Sequence, residues 1–426
     1  MIVRSILFFI ILIVLPDVWI DYHFLRTRRS LAVWKRLLWW IPCMLMLIFT
    51  CWLAAQDGFI PHNKVWIDIY LWLLGIFVIP KAIYALCSFV GWLFNHRRGA
   101  RSLVTVAIGS LLAVCSAILY AYGSLVGFNN LEVRHVELWY SDLPEAFDGY
   151  RLVHVSDLHV GTYSGFRRKM LQKTVDSIIS QKPDIICFTG DLQNVVPEEV
   201  EEVSGILSQM KNTYSVLGNH DYADYALFRE ARNVEHGTSN VDGLRVGEPY
   251  GSGTRGAQIV ERMKEVQRSM LGYDLLDNES RRITRDSSSI YIVGTGNYSK
   301  PPRKQGQRSI DYSDINRAMH GVPNNAFVIM LQHNPQAWDD IILPLSNKHK
   351  PTPQLTLSGH THGGQIGIGS IRPTRLTYPE DAGLYQQNGR CLYVTSGVGG
   401  LVPMRLGVPP EIVVITLRKK VEGPKK

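Results

Sequence analysis

The sequence predicts an α/β domain set behind a bundle of membrane-spanning helices. Two observations carry this expectation. In the last two thirds of the chain, short apolar runs end in glycine or polar turns: Leu152–Val155, Ile185–Thr189, Tyr214–Leu217, Phe327–Leu331 and Leu355–Leu357. Runs of this length bounded by turn residues read as buried strands, and Gly165–Gln181 and Glu198–Met210 read as helices between them. In the first third, Ile2–Ile20, Leu37–Ala55, Val65–Phe94 and Leu103–Val126 are long apolar stretches. Each approaches or exceeds the roughly 20 residues that cross a bilayer as a helix.

Four such stretches in series, with almost no polar face, exclude the buried helices of a soluble domain. Trp34, Trp39, Trp40, Trp66, Trp72 and Trp92 fall at or near the span ends, as an interfacial belt requires. The first stretch reads as an anchor: Arg4 is nearly its only n-region charge, and Pro16-Asp17 stands where a signal peptide has small residues. Pro80-Lys81 falls inside the third stretch, with Asp68 near its start. A lysine there marks either a functional site or, more simply, a side chain snorkelling beside a proline kink. The first loop carries Arg26, Arg28, Arg29, Lys35 and Arg36, the second only Lys64, and the third Arg97, Arg98 and Arg101. Basic loops stay in the cytoplasm. The expected protein is therefore a multi-pass protein of the inner cell membrane, with 1–126 as membrane domain and 127–426 on the non-cytoplasmic side.

Within the second part, Asn129–Leu138 reads as a first strand and Pro144–Tyr150 as a turn into the next. Arg229 to Leu271 is a glycine-rich stretch that becomes helical over Ala257–Met270. Gly251-Ser-Gly-Thr-Arg-Gly256 lacks Gly-Lys-Ser/Thr and follows no strand, so it is not a nucleotide loop. The stretch reads as a surface insertion or as a substrate lid carrying Arg245, Arg255 and Arg262. Gly294–Arg308, with Lys300, Arg303, Lys304 and Arg308, is a second basic loop of the same kind. Cys43, Cys51, Cys87 and Cys115 lie in the spans, and neither they nor Cys187 and Cys391 have disulfide or zinc-knuckle spacing. The formal charge of +8 partly reflects the basic loops and the tail Arg418–Lys426. A basic surface beside a membrane favours anionic headgroups. No run of aromatics along a basic groove suggests nucleic acid as a partner.

Each strand-like run is followed by a block of metal-binding residue types: Asp157-Leu-His159, Gly190-Asp191, Gly218-Asn219-His220-Asp221, Gln332-His333 and Gly359-His360-Thr-His362. Open α/β sheets assemble their sites at the carboxyl ends of strands, so these blocks are expected to converge. Two Asp, one Asn and four His, with no Cys, suit Mn, Fe or Zn rather than a thiolate-selected metal. Asp157, His159, Asp191, Asn219, His333, His360 and His362 are enough ligands for two metals if one carboxylate bridges, with His220 to spare.

The order Asp-x-His, Gly-Asp, Gly-Asn-His-Asp, His, Gly-His-x-His, spread over Leu152 to Leu417, resembles the calcineurin-like metallophosphoesterases. Gly359–Gln365, Gly397–Gly400 and Arg405–Glu411 resemble its membrane-associated bacterial branch and the related transmembrane proteins with a metallophosphoesterase domain. The resemblance implies a four-layer sandwich of two mixed β-sheets flanked by helices. It implies two divalent metal ions (Mn, Fe or Zn, with Mn favoured), one held by Asp157, His159, Asp191 and His362, the other by Asp191, Asn219, His333 and His360. His220 and Asp221 are the implied catalytic residues, His220 as acid to the leaving group and Asp221 as its orienting partner. The lipid bilayer is an expected partner, and the substrate is a phosphorylated small molecule or lipid. Membrane anchoring favours a lipid-linked or cell-envelope substrate. The branch is also similar to the UDP-2,3-diacylglucosamine hydrolases of lipid A synthesis, and the wider family admits a nucleotide or nucleic-acid phosphodiesterase. A non-catalytic receptor is disfavoured by the complete ligand set.

Overall fold

The computed structural model describes residues 2–27, 32–56, 64–95, 103–163, 165–222, 255–300, 310–348, 351–369 and 371–420. The chain divides into two compact units, Met1–Val126 and Gly127–Lys426.

The first unit is helical. α1 (Ile2–Ile20) continues as a wider π turn over Asp21–Leu25, and α2 spans Val33–Ala55. α3 (Val65–Leu73) and α4 (Ile79–Asn95) form one rod joined by a π turn at Leu74–Val78, and α5 spans Leu103–Leu125. The π turn lies just ahead of Pro80, whose ring lacks an N–H and clashes with the carbonyl four residues earlier. Among the described residues, four rods are long and apolar enough to cross a membrane: Ile6–Leu25, Val33–Ala55, Val65–Phe94 and Leu103–Asn129. The first three pack through Ile13, Cys43, Met46, Leu53, Tyr70, Leu74 and Val78, yet the outer faces are equally apolar, with Phe8, Ile48, Leu111 and Ile118 exposed. Helices apolar all round have hydrocarbon as their solvent. Lys81 departs from the snorkelling expectation. Its Nζ pairs with Oδ2 of Asp17, which is 1% exposed. α1 brings a carboxylate beside the lysine, and a paired charge is far cheaper in a low-dielectric interior than a lone one. One turn further along, in the π turn, Asp21 takes a bidentate contact from Arg36, at 2.9 and 2.8 Å.

In the second unit the described residues form two six-stranded sheets. The strands are β1 (Glu132–Tyr140), β2 (Arg151–Val155), β3 (Ile185–Phe188), β4 (Thr213–Ser215), β5 (Asp274–Leu275), β6 (Glu279–Arg285), β7 (Ser288–Gly294), β8 (Phe327–Leu331), β9 (Leu355–Ser358), β10 (Gly383–Gln387), β11 (Arg390–Val394) and β12 (Glu411–Lys419). One sheet has the order β1-β12-β2-β3-β4-β5 and the other β10-β11-β9-β8-β7-β6. Both are mixed: β12 meets β2 antiparallel and β2 meets β3 parallel, while β8 is parallel to β7 and β9 and β10 antiparallel to β11.

Side-chain alternation sorts these strands into layers. Val413, Ile415 and Leu417 of β12 face Phe327, Ile329 and Leu331 of β8 in the core between the sheets. The alternate residues Ile412 and Val414 pack outward with Leu171, Val175 and Ile178 of α6 (Arg168–Ser180). On the far side Val328 and Met330 pack against Trp338 and Ile342. The result is the expected four-layer sandwich of two mixed sheets flanked by helices.

Several boundaries differ from expectation. β1 starts at Glu132 rather than Asn129, because Gly127–Asn129 makes a 3₁₀ turn that buries Phe128. The helix expected over Glu198–Met210 is broken into Glu198–Glu201 and Ser204–Leu207 around Val203 (φ −117°), just ahead of the poor helix former Gly205. In the glycine-rich stretch, a helix over Arg255–Glu265 runs into a π turn over Val266–Leu271. Arg245 lies outside the described residues, as do Arg303, Lys304 and Arg308. Arg262 is ion-paired with Glu201 and Glu265, each at 2.7 Å, and Lys300 with Asp340 at 3.1 Å.

Candidate metal centre

The five blocks follow β2, β3, β4, β8 and β9. β2, β3 and β4 are neighbours in one sheet, and β8 and β9 are neighbours in the other, so the carboxyl ends of both sheets supply one centre. The chain must turn sharply as it leaves each strand. Asp157 (φ 54°), His159 (45°), Asp191 (58°), His360 (71°) and His362 (52°) all adopt left-handed backbone. They account for five of the eleven non-glycine residues with positive φ among the described residues. Each costs on the order of 1 kcal/mol and persists only where surrounding structure enforces it. Here the turns enforce one another. Asp157 N donates to Gly190 O at 2.9 Å, His159 N to Asp191 O at 3.1 Å, and Gly359 N to His333 O at 3.0 Å. Glycine is required where the turns touch: a Cβ on Gly218 would lie 2.2 Å from Asp191 Oδ1, and one on Gly359 2.2 Å from Asp157 Oδ2.

The side chains gather in two groups. Asp157, His159 and His362 bring ligand atoms within 4.8 Å of one another, as do Asp191, His333 and His360. Asn219 joins the second group, its Oδ1 lying 3.1 Å from His333 Nε2 and 2.8 Å from His360 Nδ1. Asp191 belongs to both. Its Oδ2 lies 3.2 Å from His333 Nε2 and 3.6 Å from His159 Nε2, while Oδ1 accepts from the His220 N–H at 2.8 Å. All seven residues expected as ligands therefore meet in one place.

The protonation pattern suits a cation. His333 Nδ1 faces the Thr189 carbonyl at 2.7 Å and must donate to it, which turns Nε2 toward Asp191 and Asn219. Three acceptor atoms then face one another unless a proton or a metal lies between them. Without metal, burial opposes charge on His333, but the Asp191 carboxylate prevails and pushes it up to about 9. Asp191 itself is held well below the usual carboxylate range, its burial outweighed by His333, His220 and His159. Burial pushes Asp157 up to about 6, against the pull of His333. Burial also drives His159 and His360 down to about 3, leaving both neutral. His159 is wholly buried, and neither ring nitrogen has a hydrogen-bond partner among the described residues, nor does Nδ1 of His362. Buried polar atoms are rarely left so, and neutral imidazoles beside carboxylates are what a divalent ion needs.

His220 and Asp221 depart from the expected pairing. The carboxylate of Asp221 accepts from the backbone N–H groups of Asp191, Leu192, Gln193 and Gly218, at 2.8, 2.9, 3.2 and 2.9 Å. It shapes the loop that carries Asp191 instead of orienting the His220 ring, because the turn after β3 presents three N–H groups to it. The His220 ring is held by Asn194, whose carbonyl accepts from Nδ1 at 2.7 Å. A ring nitrogen of His220 also lies within 4.8 Å of the ligand atoms of His159 and Asp191.

Three further residues were not singled out for a role by sequence. Asn194 is one. Tyr378 is the second, its hydroxyl 2.9 Å from His360 Nε2, so that His360 turns Nδ1 toward the centre. Arg405, 1% exposed, is the third: its Nη2 donates to the carbonyls of Ser396, Gly397 and Gly399 at 2.9, 3.1 and 2.5 Å. That loop in turn donates from Gly399 N to Asp157 O at 2.8 Å. Burial pulls the guanidinium down to about 10, still charged at neutral pH. Only Arg405 had a signal, inside the Arg405–Glu411 motif.

Comparison with known proteins agrees with this geometry. A family model described as calcineurin-like phosphoesterase matches residues 150–364, and one described as probable calcineurin-like phosphoesterase, transmembrane domain, matches residues 3–128. A "Transmembrane protein with metallophosphoesterase domain" from Danio rerio is 27% identical over 81% of this chain and 72% of its own. The "Uncharacterized metallophosphoesterase YkuE" of Bacillus subtilis is 27% identical over 70% of this chain and 90% of its own. The "UDP-2,3-diacylglucosamine pyrophosphatase LpxG" of Chlamydia trachomatis is 28% identical over 73% of this chain and 96% of its own. The chain belongs to the calcineurin-like phosphoesterases and is a membrane-spanning, metal-dependent hydrolase of that family.

Proposed function

We propose that this protein uses two divalent metal ions to hydrolyse a phosphoester or pyrophosphate bond in a lipid-linked or cell-envelope substrate. The observation that carries the reading is the sharing of Asp191 Oδ2 between two groups of ligand atoms. Asp157, His159, His362 and Asp191 would hold one ion, and Asp191, Asn219, His333 and His360 the other. Bound there, the pair would neutralise phosphate oxygens and lower the pKa of water, with Mn favoured by the oxygen–imidazole set.

The chain's own residues do the rest. Asn219 supplies a neutral ligand, which keeps a third carboxylate away from an anionic substrate. Asn194 O accepts from the Nδ1–H of His220, so the doubly protonated ring would present its Nε2 proton to the departing oxygen. General-acid help of this kind contributes about 10²–10⁴-fold. Asp221 fixes the Asp191 loop through its four N–H contacts.

A lipid-linked substrate is supported by residency in a membrane and by the relative named a UDP-2,3-diacylglucosamine pyrophosphatase. We read 1–126 as the membrane domain and 127–426 as the catalytic domain, on the non-cytoplasmic face of the inner membrane. The support for that side is the excess of Arg and Lys in the first and third loops over the single Lys64 of the second. The test is a substrate panel on the full chain in lipid nanodiscs, loaded in turn with Mn²⁺, Fe²⁺ and Zn²⁺. Lipid-linked phosphates and pyrophosphates are expected to turn over with higher kcat/KM than their water-soluble headgroups; equal values would remove the lipid preference. A reporter active only outside the cytoplasm, fused after Lys426, tests the side and is expected to be active. A silent fusion would place the site in the cytosol.

A further inference from the structure

Between the ligand His362 and Tyr378, which touches the ligand His360, the chain runs out in a strap that the metal centre does not use. Its side chains break the usual rule for a soluble surface: Ile368 is 82% exposed, Ile371 76% and Leu376 92%. Ile366 on the same strap, and Leu401 next to Val402, whose carbonyl accepts from Gln365 Nε2 at 2.9 Å, are each 43% exposed. Isolated exposed aliphatics are ordinary, but three on one short strap, two of them backbone-paired, mark a surface with a partner.

The exposure is built in. Ile368 and Ile371 exchange backbone hydrogen bonds at 3.0 and 3.1 Å, and Gly367 N donates to Leu406 O at 2.8 Å. Arg372 clamps Asp381 through two contacts, at 2.6 and 2.7 Å, and Arg375 reaches the same carboxylate at 3.3 Å. Thr374 adds a third donor at 3.1 Å. The Asp381 side chain is wholly buried. Where the strap's two limbs meet, a Cβ on Gly364 would lie 2.9 Å from Thr374. A strap braced in this way cannot fold its isoleucines inward.

We propose that Ile368, Ile371 and Leu376 insert into the interface of a phospholipid bilayer and so bring the metal centre to lipid headgroups. The same chain supplies the bilayer. α5, the last span, ends at Leu125, and Phe128 already lies in the core of the second unit. This short connection keeps bilayer at high effective concentration for the strap, whereas a soluble partner would have to be recruited. Arg375, 46% exposed, lies in the strap next to Leu376 and adds attraction to anionic headgroups. The proposal deepens the lipid-substrate reading above, but the insertion itself stands whichever bond is cleaved.

The test uses the full chain with Cys51, Cys87 and Cys115 replaced by alanine, reconstituted in phosphatidylcholine–phosphatidylglycerol vesicles. Ile368→Cys is labelled with an environment-sensitive dye, and Ile179→Cys on α6, 41% exposed, serves as control. Emission at 368 is expected to be blue-shifted and quenched by doxyl-labelled lipid, with 179 unaffected. Equal emission at both positions, quenching by aqueous iodide alone, or a disulfide between copies through 368 would each overturn the proposal. Replacing Ile368, Ile371 and Leu376 together by serine is expected to lower turnover of a vesicle-borne substrate about tenfold and leave turnover of p-nitrophenyl phosphate unchanged. Equal losses on both would also count against it. If no lipid is hydrolysed at all, the substrate reading fails, while the quenching result still decides insertion.

Discussion

Arg405 offers the sharpest structural test, because it sits behind the centre without touching it. Replacement by methionine keeps the apolar stem and removes the guanidinium. The carbonyls of Ser396 and Gly399 then lose their donor, while Gly397 O keeps the Glu411 N–H at 3.0 Å, in a site where Arg405 is 1% exposed. Each buried acceptor left without a donor costs about 1–3 kcal/mol, so two cost about 2–6 kcal/mol. That is a large share of the roughly 5–15 kcal/mol that stabilises a typical domain. At about 2–4 °C per kcal/mol for a large domain, Tm should fall by at least about 4 °C. The assay is thermal unfolding of the metal-loaded full chain in detergent, with bound metal measured alongside. Metal should weaken as well, because Gly399 N and Val398 N pin the backbone of Asp157 and Ser156 at 2.8 and 3.0 Å. Arg405→Lys, with one point charge for several carbonyls, should fall between the two. A Tm shift under about 1 °C with metal content intact would refute the bracing role.

Other perturbations reach different links. His220→Ala should keep its metals and lose turnover mainly on substrates with poor leaving groups, with activated aryl phosphates suffering least; a leaving-group series with equal losses throughout would remove the acid role. Lys81→Met should destabilise the membrane unit by about 3–5 kcal/mol by stranding Asp17, whereas Asp17→Leu with Lys81→Met should be close to neutral. Detergent-resistance midpoints that rank the double variant below the single one would contradict this. His333, raised to about 9, holds a proton at neutral pH in the metal-free protein, and a metal must displace it. The raised value stabilises the metal-free fold most fully below the unfolded value near 6.5, and that contribution is lost as pH rises through about 9. Metal affinity should therefore strengthen up to about pH 9, with about one proton released per binding event near pH 7. Calorimetry in buffers of different ionisation enthalpy reads that proton, and none released would refute the coupling.

The strand ends and their ligands were legible because each signal is local: a short apolar run, then a turn of Asp, Asn, His or Gly. The four spans were legible for the same reason. The pairing of strands was not. β10 has no apolar alternation to announce it, with Gln386 and Gln387 exposed at the sheet edge, and the sandwich was expected from resemblance alone. The resemblance implied that Asp221 orients His220, but the backbone of residues 191–193 claims the carboxylate. Asp17 and Lys81 are 64 residues apart, so each was read alone and their pairing was invisible. Arg405 carries the charge of a surface residue, and nothing local says that it is buried among carbonyls.

The metal count of Asp191→Asn bears most directly on the two-metal reading. Asp191 Oδ2 lies 3.2 Å from His333 Nε2 and 3.6 Å from His159 Nε2, one in each group of ligands. Elemental analysis of the full chain after metal loading and desalting should give about two ions per unaltered chain and about one or none for the variant. Two tightly held ions in Asp191→Asn would show that the groups do not share this carboxylate.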